Sequence, residues 1–336
     1  MKTLKIGVAG LGRIGKIHLD NLCRKIQGVE VIGAMEISDD HRKIADQYGI
    51  PFFTDNFDEL ISREGLDAMV ICSPTDTHAD YVEKSAIAGK QIFCEKPLDL
   101  SLERVWKVLQ VVEKYNVGLM LGFNRRFDPD FRKVHDLVRQ NTVGELHIIK
   151  ISSRDPGPPP VDYIRRSGGL FLDMTIHDFD MARYISGKPV KEIYARGNVF
   201  IDPVIREAND IDTAVITITF EDDSMAIIDN SRKAVYGYDQ RLEVFGSKGM
   251  IQADNNYENQ HRLYTEKSIS GALPLHFFLE RYEKSYVNEM KEFVDVILNN
   301  KKMPVTGEDG LMSLKMGLAA KRSMLENRPV KLSDID

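Results

Sequence analysis

Leu4-Lys5-Ile6-Gly7-Val8-Ala9-Gly10-Leu11-Gly12-Arg13-Ile14-Gly15 opens the chain with an apolar run and a glycine turn. The run Leu4–Ala9 reads as a buried strand, and the residues from Arg13 to about Ile26 read as an amphipathic helix. Gly10 permits a tight turn between them. Gly12 lets the backbone approach a pyrophosphate, and Gly15 lets the helix pack closely on the strand. The helix N-terminus offers free N–H groups and a partial positive charge to phosphates. A second strand, Val29–Met35, ends at Glu36, 26 positions after Gly10. A carboxylate there can accept from adenosine ribose hydroxyls and repels a 2′-phosphate, which favours NAD over NADP. The predicted cofactor contacts are Gly10, Gly12, Arg13, Ile14, Gly15 and Glu36, joined by Ser73, Pro74, Glu95 and Lys96 on later turns.

The alternation continues to residue 121. Helices are predicted over 39–48, 57–61, 76–88 and 102–115, and strands over 51–53, 68–72, 91–94 and 117–121. Repeated strand–helix units with short connections imply a doubly wound parallel sheet covered on both faces. Ligands in such sheets lie beyond the C-terminal ends of the strands. Ser73-Pro74-Thr75 and Glu95-Lys96-Pro97 point there. An ammonium at Lys96 can hydrogen-bond a substrate hydroxyl and favour its alkoxide. The same placement also suits a solvated surface lysine. His78, at a helix start, reads as a brace for the Ser73 turn.

The second half has a different rhythm. A helix over 129–140 leads to a strand over 146–153 and a stiff loop, Asp155-Pro156-Gly157-Pro158-Pro159-Pro160, of the kind that shapes a pocket rim. Strands follow over 193–200, 213–220, 225–231, 241–245 and 250–254, giving a mostly antiparallel sheet. Helices are predicted over 278–298 and from Thr306, an N-cap, to about Glu326. The chain therefore divides into 1–121, a Rossmann domain, and 122–336, an α/β domain. Between loop and strands lies Gly168-Gly169-Leu170-Phe171-Leu172-Asp173-Met174-Thr175-Ile176-His177-Asp178-Phe179-Asp180. Its apolar spacing predicts one packed helix, with Asp173 and His177 one turn apart on the same side. A carboxylate beside an imidazole suits proton transfer near neutral pH. The spacing suits a solvated Asp/His pair as well. Asp180, one turn on, is expected to support His177. Of Arg125 and Arg126, at least one is expected to pair structurally.

Composition narrows the classes. The chain has 336 residues, a net charge of −6 spread along its length, and three cysteines without metal spacing. Neither a nucleic-acid partner nor a membrane surface is favoured. No metal site is expected, and Glu221-Asp222-Asp223 reads as a solvated turn. Reduced thiols and the lack of a convincing signal peptide predict a cytoplasmic protein.

The glycine turn, Glu95-Lys96-Pro97 and Asp173-x-x-x-His177 together resemble the Gfo/Idh/MocA family. Gly122-Phe123-Asn124-Arg125-Arg126-Phe127-Asp128 and Tyr236-Gly237-Tyr238-Asp239 are similar to its inositol dehydrogenase branch. The resemblance implies NAD-dependent oxidation of a cyclic polyol, myo-inositol to 2-keto-myo-inositol, with scyllo-inositol or an aldose as alternatives. A non-catalytic nucleotide sensor is the reading from another class. The resemblance further implies that His177 is the acid/base and that Lys96 and Asp173 support it. Asn124, whose position other residues hold in some relatives, and Asp155, in a loop particular to this chain, are expected to border the pocket, while Tyr236 suits a sugar hydroxyl or an interface or core position equally. A C-terminal open sheet that serves as a homotetramer interface belongs to the same expectation.

Overall fold

The computed structural model describes residues 3–336. Contacts divide them into two units, the chain up to Phe127 with Lys284–Met312, and Asp128–Glu283 with Ser313–Asp336.

In the first unit the strands are β1 (Leu4–Ala9), β2 (Val29–Met35), β3 (Phe53–Thr54), β4 (Ala68–Ile71), β5 (Gln91–Glu95) and β6 (Leu119–Gly122). The helices between them are α1 (Arg13–Asp20), α2 (Arg42–Gln47), α3 (Phe57–Ile61), α4 (Thr75–Ile87) and α5 (Leu102–Lys114). All strand pairs are parallel, and the order is β3-β2-β1-β4-β5-β6. The order reverses direction at β1, so the connections that leave β1 and β4 run to opposite sides and a crevice lies beyond their C-terminal ends. Ile6, Val8, Met69, Val70, Ile92 and Phe93 are fully buried. Near-continuous apolar strands of this kind are what a sheet covered on both faces requires.

The second unit begins with α6 (Pro129–Arg139), capped by the Asp128 side chain. It continues with β7 (Leu146–Arg154), α7 (Val161–Ser167), α8 (Leu170–Asp173), α9 (Ile176–Ser186), β8 (Val190–Asn198), α10 (Pro203–Glu207), β9 (Thr213–Phe220), β10 (Met225–Ser231), β11 (Asp239–Gly246) and β12 (Gly249–Ala253). A hairpin follows, β13 (Arg262–Tyr264) and β14 (Ile269–Gly271), then α11 (Phe278–Arg281), α12 (Glu283–Leu298), α13 (Gly307–Glu326) and β15 (Val330–Lys331). The large sheet runs β12-β11-β7-β10-β9-β8-β15. Only β7 and β10 pair in parallel, so the sheet is mostly antiparallel, as expected. Side chains alternate along β9 and β10, and Ile216, Ile218, Ala226 and Ile228 fill the covered face.

Most of α12 groups by contacts with the first unit. There Phe293 meets Phe93 edge-on at 5.8 Å. The predicted helix 278–298 breaks at Tyr282, whose backbone lies at φ −110°, ψ 18°. Its ring is buried against Phe131 and Tyr238, and its hydroxyl donates to Gln240. The predicted single helix after Gly169 is two helices. The Leu170 carbonyl accepts from both Met174 and Thr175, so the ladder slips, and His177 N–H then bonds Met174 rather than Asp173. Thr175, fully buried, donates its hydroxyl to Asn230 Oδ1 at 2.5 Å and ties the break to β10.

The start of α13 has reciprocal caps. Thr306 N–H donates to Asp309 Oδ2 and Asp309 N–H to Thr306 Oγ1. Among the described residues, no helix is long and apolar enough to cross a membrane.

A Cβ on Gly15 would overlap the Gly10 carbonyl oxygen, a backbone atom that cannot rotate away. Gly15→Ala is therefore expected to lower stability by about 1–3 kcal/mol, read from urea denaturation.

Candidate active site

The glycine turn is shaped by what surrounds it. Gly10 has φ +91°, and a Cβ there would stand 2.5 Å from Ser73 N. The β1 turn and the β4 turn thus approach backbone to backbone. A Cβ on Gly12 would meet nothing within 4 Å, so the turn opens outward at that residue. Gly12 is the N-cap of α1 and supplies no side-chain cap, which leaves N–H groups of the first turn for a ligand. Glu36 Oε2 accepts from Leu11 N–H at 2.8 Å, and Oε1 accepts from Ile37 N–H at 2.9 Å. Its carboxylate is therefore fixed beside the turn, with acceptor capacity remaining for ribose hydroxyls. Open backbone, free helix N–H groups and a held carboxylate suit a dinucleotide of the NAD type.

His78 fastens the neighbouring strand ends. Its ring nitrogens lie 2.7 Å from the Ser73 carbonyl and 2.8 Å from the Pro97 carbonyl. Burial lowers its pKa, against the opposing pull of the two carbonyls. The residue acts as the predicted brace. Lys96 and Glu95 are half-buried at the end of β5. The Glu95 carboxylate is turned to His18 Nε2 at 2.8 Å, so its backbone is what it presents at the strand end. Cys94 is buried and Cys72 lies at the end of β4, and burial raises both thiols well above the ordinary range. A thiol raised in this way stays protonated and is a poor nucleophile.

In the second unit, every residue from Leu170 to Ala182 is buried except Asp173 and His177. The helix break does not hide them. It leaves these two side chains as the polar opening in an otherwise packed segment. Asp173 is held from two sides. Tyr163 of α7 donates its hydroxyl to Oδ1 at 2.9 Å, and Arg232 Nη2 lies 3.1 Å from Oδ2. The Arg232 side chain is 4% exposed and also meets Asp155 Oδ2 at 3.5 Å. Burial works against its charge, but Asp173, Asp155 and Asp210 outweigh that and raise its pKa. Asp210 in turn accepts from Leu170 N–H through both oxygens, at 3.0 and 3.1 Å, and so anchors the start of α8. Burial raises the Asp210 carboxyl, while the Leu170 N–H and Arg232 oppose the shift.

The other predicted residues are placed as follows. Asp155 lies in the Arg232 cluster with Asp173. Tyr236 donates to Asp239 Oδ2 at 2.6 Å and accepts from Arg154 Nη1 at 2.9 Å, in a network that includes Asp229. Asn124, expected at the substrate, is 3% exposed in the first unit, where its carbonyl accepts from Ser285. Arg126 pairs with Asp309 at 2.9 Å, which meets the expectation of a structural role for one of the two arginines. Asp180 is buried, and Asp178 accepts from Asn230 Nδ2 at 2.9 Å.

Four residues of this arrangement were not legible in the sequence: Arg232, Tyr163, Asp210 and Thr175. Tyr163 and Asp210 sit in polar stretches with no periodic signal. Arg232 follows a strand, where a cation is ordinary. Only the fold brings Arg232 to Asp155 and Asp173.

Residues 4–123 match the model of an oxidoreductase family with an NAD-binding Rossmann fold, and residues 131–252 match the GFO/IDH/MocA C-terminal domain. The myo-inositol 2-dehydrogenase of Thermotoga maritima is 47% identical, over 99% of both chains. The inositol 2-dehydrogenase of Rhizobium meliloti is 43% identical, over 98% of this chain and all of the other. A solved scyllo-inositol dehydrogenase from Lactobacillus casei, with NAD(H) and scyllo-inositol bound, superposes with a TM-score of 0.93 at 34% identity, over 99% of this chain and 100% of that one.

Removing the guanidinium leaves Asp155 and Asp173 facing each other without a counter-charge. Arg232→Met is expected to cost about 3–5 kcal/mol, measured by chemical denaturation.

Proposed function

Because the chain belongs to the Gfo/Idh/MocA family of NAD-binding oxidoreductases, we propose that it oxidises myo-inositol to 2-keto-myo-inositol. The observation that carries this reading is the polar opening of Asp173 and His177 in a segment otherwise buried. Full-length likeness to inositol 2-dehydrogenases supports it.

Bound NAD supplies the acceptor of the hydride. The Gly10–Gly15 turn holds its pyrophosphate and Glu36 its ribose, with Arg13, Ile14, Ser73 and Pro74 beside them. His177 takes the proton of the reacting hydroxyl. Asp173, held by Tyr163 and Arg232, orients the imidazole and steadies its positive charge. Lys96 donates a hydrogen bond to the reacting oxygen and favours its alkoxide. Carbon loses a hydride and oxygen loses a proton, and the C–O single bond becomes a carbonyl. Asp155 receives a ring hydroxyl beside Arg232, and Tyr236 joins the substrate surroundings, whereas Asn124 is buried beside Ser285.

Oxidation of scyllo-inositol is the second reading, favoured by the likeness to the Lactobacillus casei enzyme. The open face of the large sheet exposes Val215, Met225, Phe245 and Met250, each about half exposed. We assign this face to a homotetramer contact in the cytoplasm, since exposed apolar sheet surface favours a partner.

NADH formation across a panel of inositol isomers and aldoses tests the substrate. Myo-inositol is expected to have the highest kcat/KM, and a scyllo-inositol preference would select the second reading. NAD binding without turnover on any polyol would point to a sensor. His177→Ala is expected to cut turnover by roughly 10² or more, read at saturating NAD. NAD is expected to exceed NADP in kcat/KM, and Glu36→Gln to narrow the gap. Equal values in the wild type would remove Glu36 from the ribose.

A further inference from the structure

In the first unit, His18 of α1, Glu95 of β5 and Glu289 of α12 bring one side-chain donor atom each within 4.8 Å of one another. His18 and Glu289 are 0% exposed. His18 Nε2 meets Glu95 Oε1 at 2.8 Å, while neither oxygen of Glu289 has a hydrogen-bond partner among the described residues. The surroundings are built for this carboxyl pair. Gly122 lies opposite Glu95 on β6, where a Cβ would stand 2.8 Å from Glu95 Oε2. Phe93 and Tyr286 pack edge-on to the His18 ring at 5.1 and 5.7 Å. After burial, the charge of both carboxyls acts on the Cys72 thiol and that of Glu95 on the Cys94 thiol, which donates to the Glu95 carbonyl at 3.3 Å.

Two ionised carboxylates and one imidazole would leave this apolar box with negative charge whatever the state of the ring. A buried carboxylate without a counter-charge takes up a proton instead, and two carboxyls that share a site divide their protons unequally. Glu289, with no exposure and no donor, is the member that takes it. We propose that His18, Glu95 and Glu289 form a buried proton-holding cluster, with Glu289 a neutral acid, that positions the adjoining Lys96.

Burial, and after it the charge of Glu95, hold the Glu289 carboxyl well above the usual carboxylate range. Lys96 sits between two tethers. The residue before it is bound to His18, and the carbonyl of the residue after it is bound to His78. A neutral Glu289 can donate to Glu95, whereas an ionised one repels it and displaces the strand end. His18 and Glu289 are thus positioning residues, and their effect on turnover rests on the role of Lys96 proposed above.

The proton is tested without any polyol. The infrared difference between wild type and Glu289→Gln at neutral pH is expected to show a protonated-carboxyl C=O band that the variant lacks. The lack of such a band, or a stoichiometric divalent metal in the purified wild type that is lost in Glu289→Gln, overturns the proposal. Positioning is tested by rescue. Glu289→Ala is expected to lower kcat about tenfold or more with KM for NAD changed less than about threefold, and the neutral isostere Glu289→Gln to restore most of the loss. Glu289→Asp replaces the Ala variant if that one does not fold. A Gln variant as slow as Ala, or a loss confined to KM, overturns the positioning role. If no polyol is turned over, the functional reading fails while the infrared and metal results still decide the proton.

Discussion

The first helix can lie on the first strand only because residue 15 has no side chain. A methyl there would overlap the Gly10 carbonyl oxygen, and a methyl on Gly10 would run into the Ser73 backbone. These two close approaches bring the β1 turn, the N-terminus of α1 and the β4 turn together at one end of the sheet. The direction of α1 determines where its N–H groups point. The Glu36 carboxylate then locks to the same turn through Leu11. The dinucleotide surface therefore follows from missing side chains as much as from those present.

The second unit solves a different problem, which is how to keep charged groups at the edge of a packed core. Asp173 and Asp155 are stabilised by one guanidinium, itself almost wholly buried. Asp210 shares that charge and anchors the α8 N-terminus at the same time. Thr175 and Asp178 fasten the break between α8 and α9 to Asn230. Asp210 and Thr175 thus have partners that also fix a backbone segment, so electrostatics and geometry are set there by the same contacts.

Legibility followed the range of the interactions. The strand and helix succession of the first unit was read closely, because local periodicity and glycine spacing encode it. Phe57–Ile61, Thr213–Phe220 and Met225–Ser231 carry the expected bounds. Reading failed where a distant group overrides a local pattern. The apolar spacing from Leu170 to Ile185 fits one helix, yet a buried hydroxyl bonded to β10 accompanies a slip in its ladder. The 278–298 pattern fits one helix too, yet burial of Tyr282 breaks it. Nor does any local pattern encode that α12, far along the chain, packs beside β5 in the first unit.

By itself the sequence determined the parallel sheet, the glycine turn, the acid at the end of β2 and the identity of Lys96, Asp173 and His177. The sheet, the turn and the acid rest on periods of a few residues or on a steric need for glycine, whereas Lys96, Asp173 and His177 were singled out by the resemblance to a family. Tertiary structure alone decided the partners. It placed Arg232 and Tyr163 on Asp173, His78 between the Ser73 and Pro97 carbonyls, and Glu289 beside Glu95 and His18. Apart from His78 with the Ser73 carbonyl, five positions away, such pairings join residues ten to hundreds of positions apart. They depend on burial, which raises the free energy of any unmatched charge, and burial is a property of the folded chain, not of a local stretch of sequence.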